Sequence, residues 1–581
     1  MTSEQSPSNS TARSCLEALD RQGVSYVFGS PGSEDVHYWQ AFGSDADVPE
    51  YVQCRHEQLA VDMARGYAQI TGESQAVKLH GSLGTLNGAL SIWGAYYSGT
   101  PLLVLSSYIS DHTSGRGLYK LDFRHPTGQS DVAGSFTKWS ISADSPSQVP
   151  EYAQRGIRVA EAPPEGPVFV NMPNSLLDAP LDDGEAGRGR KTAPAPSTPS
   201  NEVTAEIAEK LQTAENPIAV VSDLGAGPEG PAALLDVAES LELPVYEAPK
   251  VRHAFPMDHP LYQGNTAYGV RDQTPPYLAE EIDLVFVVGS SKPWYPPGKA
   301  APDADIIFLG TNALNPRRAH WNYPADIVAE GDPATTLSEL AAVFDGTESS
   351  GPGASASSGT DWRAKHETWD ELWTARIEDA PADEVDPFRF TSHLDDYLPD
   401  DAIVVNETVD HGSCVTNVLR DGDDRRFVSA ERMTAGGLGT GLGLALGAKL
   451  ALPDRMAVTL LGDGAFHYNP VQAAYGAVQE HDLPLLTVLY DNSGYEAMRA
   501  AYEATYPYDS KTPEKYGGPI DPTPEYTEQV DAWGMHAERV THPSEAEDAI
   551  RTCVETVRDG TSALLHVELP QTIDSHPYES S

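Results

Sequence analysis

Cysteine, basic residues and long apolar runs are all scarce in this 581-residue chain, and each scarcity narrows what it can do. The four cysteines, Cys15, Cys54, Cys414 and Cys553, stand far apart and form no CxxC pair. That excludes a disulfide framework and the common zinc and redox motifs, and it predicts reduced core or surface residues in a cytoplasmic protein. No apolar stretch approaches the roughly 20 residues of a membrane span. The polar amino terminus carries no signal peptide pattern. Lys and Arg together number 38 against 86 Asp and Glu, a net charge of −48, with lysine far scarcer than arginine. A balance of that sign argues against partners such as nucleic acid and anionic membranes. The acids are spread along the chain instead of forming a tail, a pattern that predicts adaptation to high salt. Near 1 M salt the Debye length falls to about 3 Å, which screens the self-repulsion. Short-period repeats are also missing.

What is present is an alternation of strand and helix signals broken by two small-residue segments. Length gives a prior of about four domains of ~150 residues, but the composition breaks divide the chain into three. Gly184 to Asn201 and Gly346 to Gly359 are dominated by Gly, Pro, Ala, Ser and Thr and read as linkers. The expected organisation is a disordered tail over 1–11, domains over 12–183, 202–345 and 361–575, and linkers over 184–201 and 346–360. In the first third, Val24–Phe28, Tyr51–Cys54, Ala76–His80 and Pro101–Leu105 are apolar runs next to helical stretches. This predicts an α/β doubly wound parallel sheet. The last third repeats the pattern from Ala402–Val405 to Ala563–Glu568 without visible sequence identity.

One unit carries chemistry. Gly462-Asp463-Gly464 directly follows the apolar run Met456–Leu461, and Asp491-Asn492 directly follows a second run, Leu485–Tyr490. Between them Asn469 and Pro470 supply an N-cap and a first-turn proline for a predicted helix to Gln479. A right-handed crossover makes the two strands parallel, so Asp463 and Asn492 emerge at one carboxyl edge, where such sheets bind ligands. Two hard oxygen ligands there suit Mg²⁺ holding a phosphate, and the flanking glycines let backbone N–H groups approach its oxygens. A lone Gly-Asp-Gly would be a tight turn; the helix and second strand make that reading the weaker one.

The spacing resembles the GDG…NN diphosphate motif of thiamine diphosphate (ThDP) enzymes. The resemblance implies ThDP and Mg²⁺ as cofactors, with Asp463, Asn492 and the Gly494 carbonyl as metal ligands and Gly462, Gly464 and Ala465 beside the diphosphate. Asp491 departs from the first asparagine of the motif. Arg55-His-Glu57 and the helix to Tyr67 resemble the family's HE…A…A.GYA segment, which makes Glu57 the carboxyl that shares a proton with the aminopyrimidine N1′. Ala435–Gly443 resembles its glycine-rich segment, implying that the Gly436 carbonyl and Leu438 N–H hold the aminopyrimidine while the Leu438 side chain props the cofactor bent. Close helix packing is the plain alternative for Gly441 and Gly443. The family fold has three such domains (pyrimidine-binding, middle and diphosphate-binding), with the active site between two chains of a homodimer or homotetramer.

Within the family, Phe28–Ser33, Lys78–Asn87 and Val405–Glu407 are similar to the benzoylformate decarboxylase branch. Carried over, Ser33 contacts the substrate carboxylate and His80 shuttles protons. The branch's second histidine falls where Pro296 stands, its diphosphate-binding hydroxyls where Val409 and Asp410 stand, and its pocket run where Tyr495–Met498 and Ala501 stand. An aspartate at 410 would repel phosphate unless it points away, with His411 as a candidate compensating charge. In the middle domain Gly225, Gly227 and Gly230 satisfy GxGxxG and Glu247 ends the next strand, a dinucleotide pattern that Pro228 disfavours. FAD-bearing acetolactate synthases use that domain, so FAD stays a minor alternative. The resemblance thus implies ThDP-dependent decarboxylation of a small-molecule 2-oxo acid through a C2 carbanion and an enamine. The alternatives are an acetolactate-synthase-like carboligase or a non-catalytic ThDP-fold subunit.

Overall fold

The computed structural model describes residues 10–43, 47–108, 128–181, 194–248, 252–266, 282–294, 304–312, 323–345, 360–419, 426–430, 437–506 and 518–571. Three six-stranded sheets, every recorded pairing parallel, account for the strands of these residues. The first contains β1 (Tyr26–Gly29), β2 (Glu50–Gln53), β3 (Gln75–His80), β4 (Leu102–Tyr108), β5 (Trp139–Ser142) and β6 (Val168–Pro173), in the order β2-β1-β3-β4-β6-β5. The second contains β7 (Pro217–Val221), β8 (Val245–Glu247), β9 (Tyr262–Asn265), β10 (Leu284–Val288), β11 (Asp305–Gly310) and β12 (Ile327–Glu330), in the order β12-β11-β10-β7-β8-β9. The third contains β13 (Ile403–Glu407), β14 (Arg426–Ser429), β15 (Ala457–Gly462), β16 (Leu485–Asp491), β17 (His536–Val540) and β18 (Ala563–Glu568), in the order β14-β13-β15-β16-β18-β17. The doubly wound α/β class read from the sequence is therefore the class observed. The third sheet also reproduces the strand order of the first, while the second has the order of a dinucleotide fold.

The central strands are apolar throughout because both faces are covered. All seven residues of β16 are buried, as are the first six of β4. A strand with only one covered face would alternate instead. Two compact units emerge, one holding the first sheet together with segments 435–454 and 467–483, the other holding the second and third sheets. In the first unit Leu103, Leu105, Val168 and Val170 pack with Ala12, Leu16, Ala153 and Ile157 of two covering helices. In the second, one continuous core joins β7, β10 and β11 to β13, β15, β16 and β18. All four cysteines are buried and free. No helix among the described residues is long and apolar enough to cross a membrane.

Two helices of the first unit meet backbone to backbone. A Cβ on Gly66, in helix Glu57–Thr71, would lie 2.0 Å from the Leu444 carbonyl oxygen, and one on Gly447, in helix Gly441–Ala451, 1.9 Å from the Met63 oxygen. Gly443 presses on Asp62 Cβ in the same way, at 2.5 Å. Close packing is thus the role of Gly443. The expected cap at Asn469 takes a different form. The helix runs Val471–Glu480 behind Pro470, and Asn469 Oδ1 accepts the Leu442 N–H at 3.1 Å, at the start of helix Gly441–Ala451. A short helix, Asp463–Tyr468, follows β15 directly and precedes the expected one.

Candidate active site

In the second unit, β15 and β16 pair in parallel with Gly462 opposite Tyr490, which brings Asp463 and Asn492 to the same carboxyl edge. Both are buried, at 3% and 4% exposure. Asp463 Oδ1 accepts the Gly464 N–H and Oδ2 the Gly494 N–H, each at 2.7 Å. The Asp463 carboxylate and the Gly494 backbone are therefore joined, with Asn492 two residues before Gly494, directly after the end of β16. The glycines are dictated by contact: a Cβ on Gly464 would lie 2.6 Å from the Tyr495 ring, and one on Gly494 2.8 Å from the Gly518 oxygen. Nothing lies within 4 Å of a Cβ built on Gly462, so the edge is open at that point. Ser493 sits between Asn492 and Gly494 at φ 59°, a left-handed conformation rare for a residue with a side chain.

Asp491, the departure from the motif, is tied down by a partner the sequence did not reveal. Its Oδ2 meets His566 Nε2 of β18 at 2.8 Å and its Oδ1 accepts the Ser493 N–H at 2.8 Å. Burial opposes ionisation of Asp491, but the His566 and Ser493 hydrogen bonds prevail and hold its carboxyl below the usual range. Asp463 goes the other way. Burial, reinforced by the neighbouring Asp491 charge, pushes it up to about 7. Two desolvated carboxyls in contact are the arrangement a bound cation relieves. The donors, a carboxylate, an amide oxygen and a backbone carbonyl, are hard oxygen ligands of the kind Mg²⁺ takes, so these residues fit the metal the resemblance implies. Asp410 is half-buried, and its Oδ2 accepts the Ala497 N–H at 3.2 Å, at the start of helix Glu496–Thr505. His411 offers no positive charge, because burial lowers its pKa to about 3 and leaves the ring neutral beside Tyr490.

In the first unit Glu57 is the opening residue of its helix, whose N-cap is the His56 ring, accepting the Gln58 N–H at 3.1 Å. The Glu57 carboxylate is half-buried and accepts from Asn87 Nδ2 at 3.1 Å. Gln58 Nε2 donates to the Gly439 carbonyl at 2.5 Å, which fastens this helix start to the loop carrying the half-buried Leu438. Gly436 lies outside the described residues. At the carboxyl end of β3, His80 packs against the loop after β1 that carries Gly32 and the exposed Ser33. The structure thus groups Glu57 with Leu438, His80 with the Ser33 loop, and Gly462, Asp463, Gly464 and Ala465 with Asn492 and Gly494.

The acid of the middle-domain dinucleotide pattern is engaged by the protein itself. Glu247 is fully buried and takes the Ala254 N–H at 2.8 Å, the Tyr262 hydroxyl at 3.4 Å and His253 Nδ1 at 3.2 Å. A carboxylate so engaged is not presented to a ribose. Pro296 lies outside the described residues. The Asp491–His566 pair was not legible in the sequence, because it joins strands far apart in the chain.

Comparison with known proteins follows the same three divisions. Residues 9–130, 204–340 and 410–567 match, respectively, the N-terminal TPP binding domain, the central domain and the C-terminal TPP binding domain of thiamine pyrophosphate enzymes. The chain is 28% identical over 488 residues to benzoylformate decarboxylase of Pseudomonas aeruginosa, spanning 83% of this chain and 86% of that protein. It is 25% identical over 586 residues to the acetolactate synthase isozyme 3 large subunit of Escherichia coli, spanning 98% and 96%. Among solved structures, the thiamine diphosphate-dependent 4-hydroxybenzoylformate decarboxylase of Rhodococcus jostii RHA1 superposes with a TM-score of 0.77 at 24% identity, over 98% of this chain and 100% of that one.

Proposed function

The chain belongs to the thiamine pyrophosphate enzyme family, and on that premise we propose that it decarboxylates a 2-oxo acid with ThDP and Mg²⁺. ThDP supplies an electron sink for the pair left behind when CO₂ departs. The protein's part is divided among three groups. Asp463, Asn492 and the Gly494 carbonyl hold Mg²⁺, with Gly462, Gly464 and Ala465 lining the diphosphate. Glu57 exchanges a proton with the aminopyrimidine ring, which Gly436 and Leu438 hold. Ser33 binds the substrate carboxylate, and His80 delivers the proton that replaces CO₂.

The observation that carries this reading over others in the family is His80 itself. It ends β3 at the carboxyl edge, side chain 28% exposed, packed on the loop that presents Ser33. A proton donor in that place suits release of an aldehyde after decarboxylation. The similarity to an acetolactate synthase over 98% of the chain favours the second reading, in which another 2-oxo acid captures the intermediate. Product analysis separates them, since aldehyde in step with CO₂ supports decarboxylation and an acetohydroxy acid supports ligation. A His80→Ala variant that keeps full aldehyde output would remove His80 from the scheme.

A second copy of the chain is the expected partner. Leu83, Leu86, Leu90 and Trp93 are 51%, 57%, 41% and 37% exposed and recur at three- and four-residue spacing across helices Gly81–Asn87 and Ala89–Ser98. An apolar face of this kind beside Glu57 and Asn87 supports an interface there. A homodimer is the smallest assembly that covers it.

A further inference from the structure

The β1 loop sends two consecutive carboxylates to the end of β3. β1 and β3 are neighbours, with Gly29 opposite Lys78, so the loop after β1 lies beside the last residues of β3. Lys78 and His80 are two apart and share one side of that strand. Asp35 forms an ion pair with Lys78, both side chains only 4% exposed. It also accepts the Gly32 N–H at 2.9 Å and the Ser107 hydroxyl at 3.5 Å. Taking one partner from a buried pair strands the other as a bare charge, so this pair fixes the loop.

Glu34 then meets His80. Its Oε2 lies 3.5 Å from His80 Nδ1, within ion-pair range but without a formed hydrogen bond between the two, and both atoms are closed off from solvent. The backbone presses closely on this pair. A Cβ on Gly32 would fall 1.9 Å from His80 Nδ1, and one on Gly81, at φ 52°, 3.2 Å from Glu34 Oε2. We propose that Glu34 is a positioning residue for His80: its carboxylate keeps the imidazole proton on Nδ1, so that Nε2 is the nitrogen that faces substrate. The inference rests on the reading of His80 as the proton-transfer group, and it assigns that work to one ring atom. A carboxylate behind an imidazole fixes both tautomer and orientation; removing such a partner from a metal-bound histidine costs about 10–100-fold, and the same range is the effect expected at His80.

The test uses the full chain labelled with ¹⁵N-histidine, with the His80 signals identified by their loss in His80→Asn. Wild type should show the Nδ1–H tautomer. Glu34→Leu should move the ring toward the Nε2–H form that free imidazole prefers, and Glu34→Gln, whose amide oxygen still accepts, should retain Nδ1–H. With a 2-oxo acid that is turned over, Glu34→Leu should lower kcat about 10–100-fold with KM little changed, and Glu34→Gln should restore most of the loss. An Nε2–H tautomer in the wild type, or a tautomer unmoved in Glu34→Leu, overturns the inference. Should Glu34→Leu not fold, an Nδ1–H signal in wild type that persists in Glu34→Gln still supports the proposal, and an Nε2–H signal in either overturns it. Absence of any decarboxylation would refute the proposed function but leave the tautomer result standing, so the two failures are distinguishable.

Discussion

Magnesium binding should weaken as pH falls through 7, because the metal must displace a proton from Asp463. Burial and the Asp491 charge push that carboxyl up to about 7. At pH 8 roughly nine-tenths of the protein has it ionised, at pH 6 roughly one-tenth. Apparent Mg²⁺ affinity should therefore drop about tenfold between pH 8 and pH 6, equivalent to about 1.4 kcal/mol. The sign for folding is opposite. Between about pH 4 and 7 the metal-free folded state holds a proton that the unfolded chain has released, so its stability falls as pH rises across that window. Added Mg²⁺ should stabilise most at pH 8. The assay is a calorimetric Mg²⁺ titration at saturating ThDP. The diphosphate can also titrate in this range, so the decisive comparison is with Asp491→Asn, which restores the asparagine of the family motif. Removing the like charge lowers the Asp463 pKa, and the drop from pH 8 to 6 should shrink to about threefold or less. Equal affinity at pH 6 and 8, or the same pH dependence in both proteins, would refute the reasoning.

Other consequences are as direct. Gly447→Ala gains about 1 kcal/mol of helix propensity but drives a methyl into the Met63 carbonyl, a clash no rotamer relieves; we expect a net loss of about 2 kcal/mol or more and weaker ThDP binding, and a raised melting temperature would contradict this. His411 stays neutral to about pH 3, whereas in the unfolded chain it takes up a proton below its usual 6.5. Stability is thus lost as pH falls from about 6.5 toward 3, by about 2 kcal/mol at pH 5 from this group, and denaturant melts at pH 7 and 5 should differ by that much less in His411→Asn. Leu86→Asp should put a charge into the apolar face and yield monomers in light scattering with impaired ThDP binding; an unchanged oligomer would place the interface elsewhere.

The sheet architecture was readable because buried parallel strands are written as unbroken apolar runs, and β18 matches its run Ala563–Glu568 residue for residue. The metal edge was readable because strand, helix and strand follow one another within about thirty residues. The capping role of Asn469 misled, since an asparagine before a proline serves either its own helix or a neighbour, and only the fold places Leu442 beside it. The partners that tune the site were illegible for the same reason. Asp491 stood out as a departure, but its histidine is 75 residues away. Nothing in the pattern of β18 says that His566 faces inward toward it. Lys78 read as one residue of a loop motif, and its burial against Asp35 appears only once β1 and β3 are neighbours.

The central claim is tested most directly by supplying ThDP and Mg²⁺ at both low and molar KCl and offering pyruvate, branched-chain 2-oxo acids and benzoylformate in turn. CO₂, aldehyde and acetohydroxy acid are then measured together. The account predicts that at least one acid releases CO₂ with an equal amount of aldehyde, and that Glu57→Gln and Asp463→Asn abolish it. Release of CO₂ with an acetohydroxy acid as the main product, or no turnover of any of these acids, would contradict it.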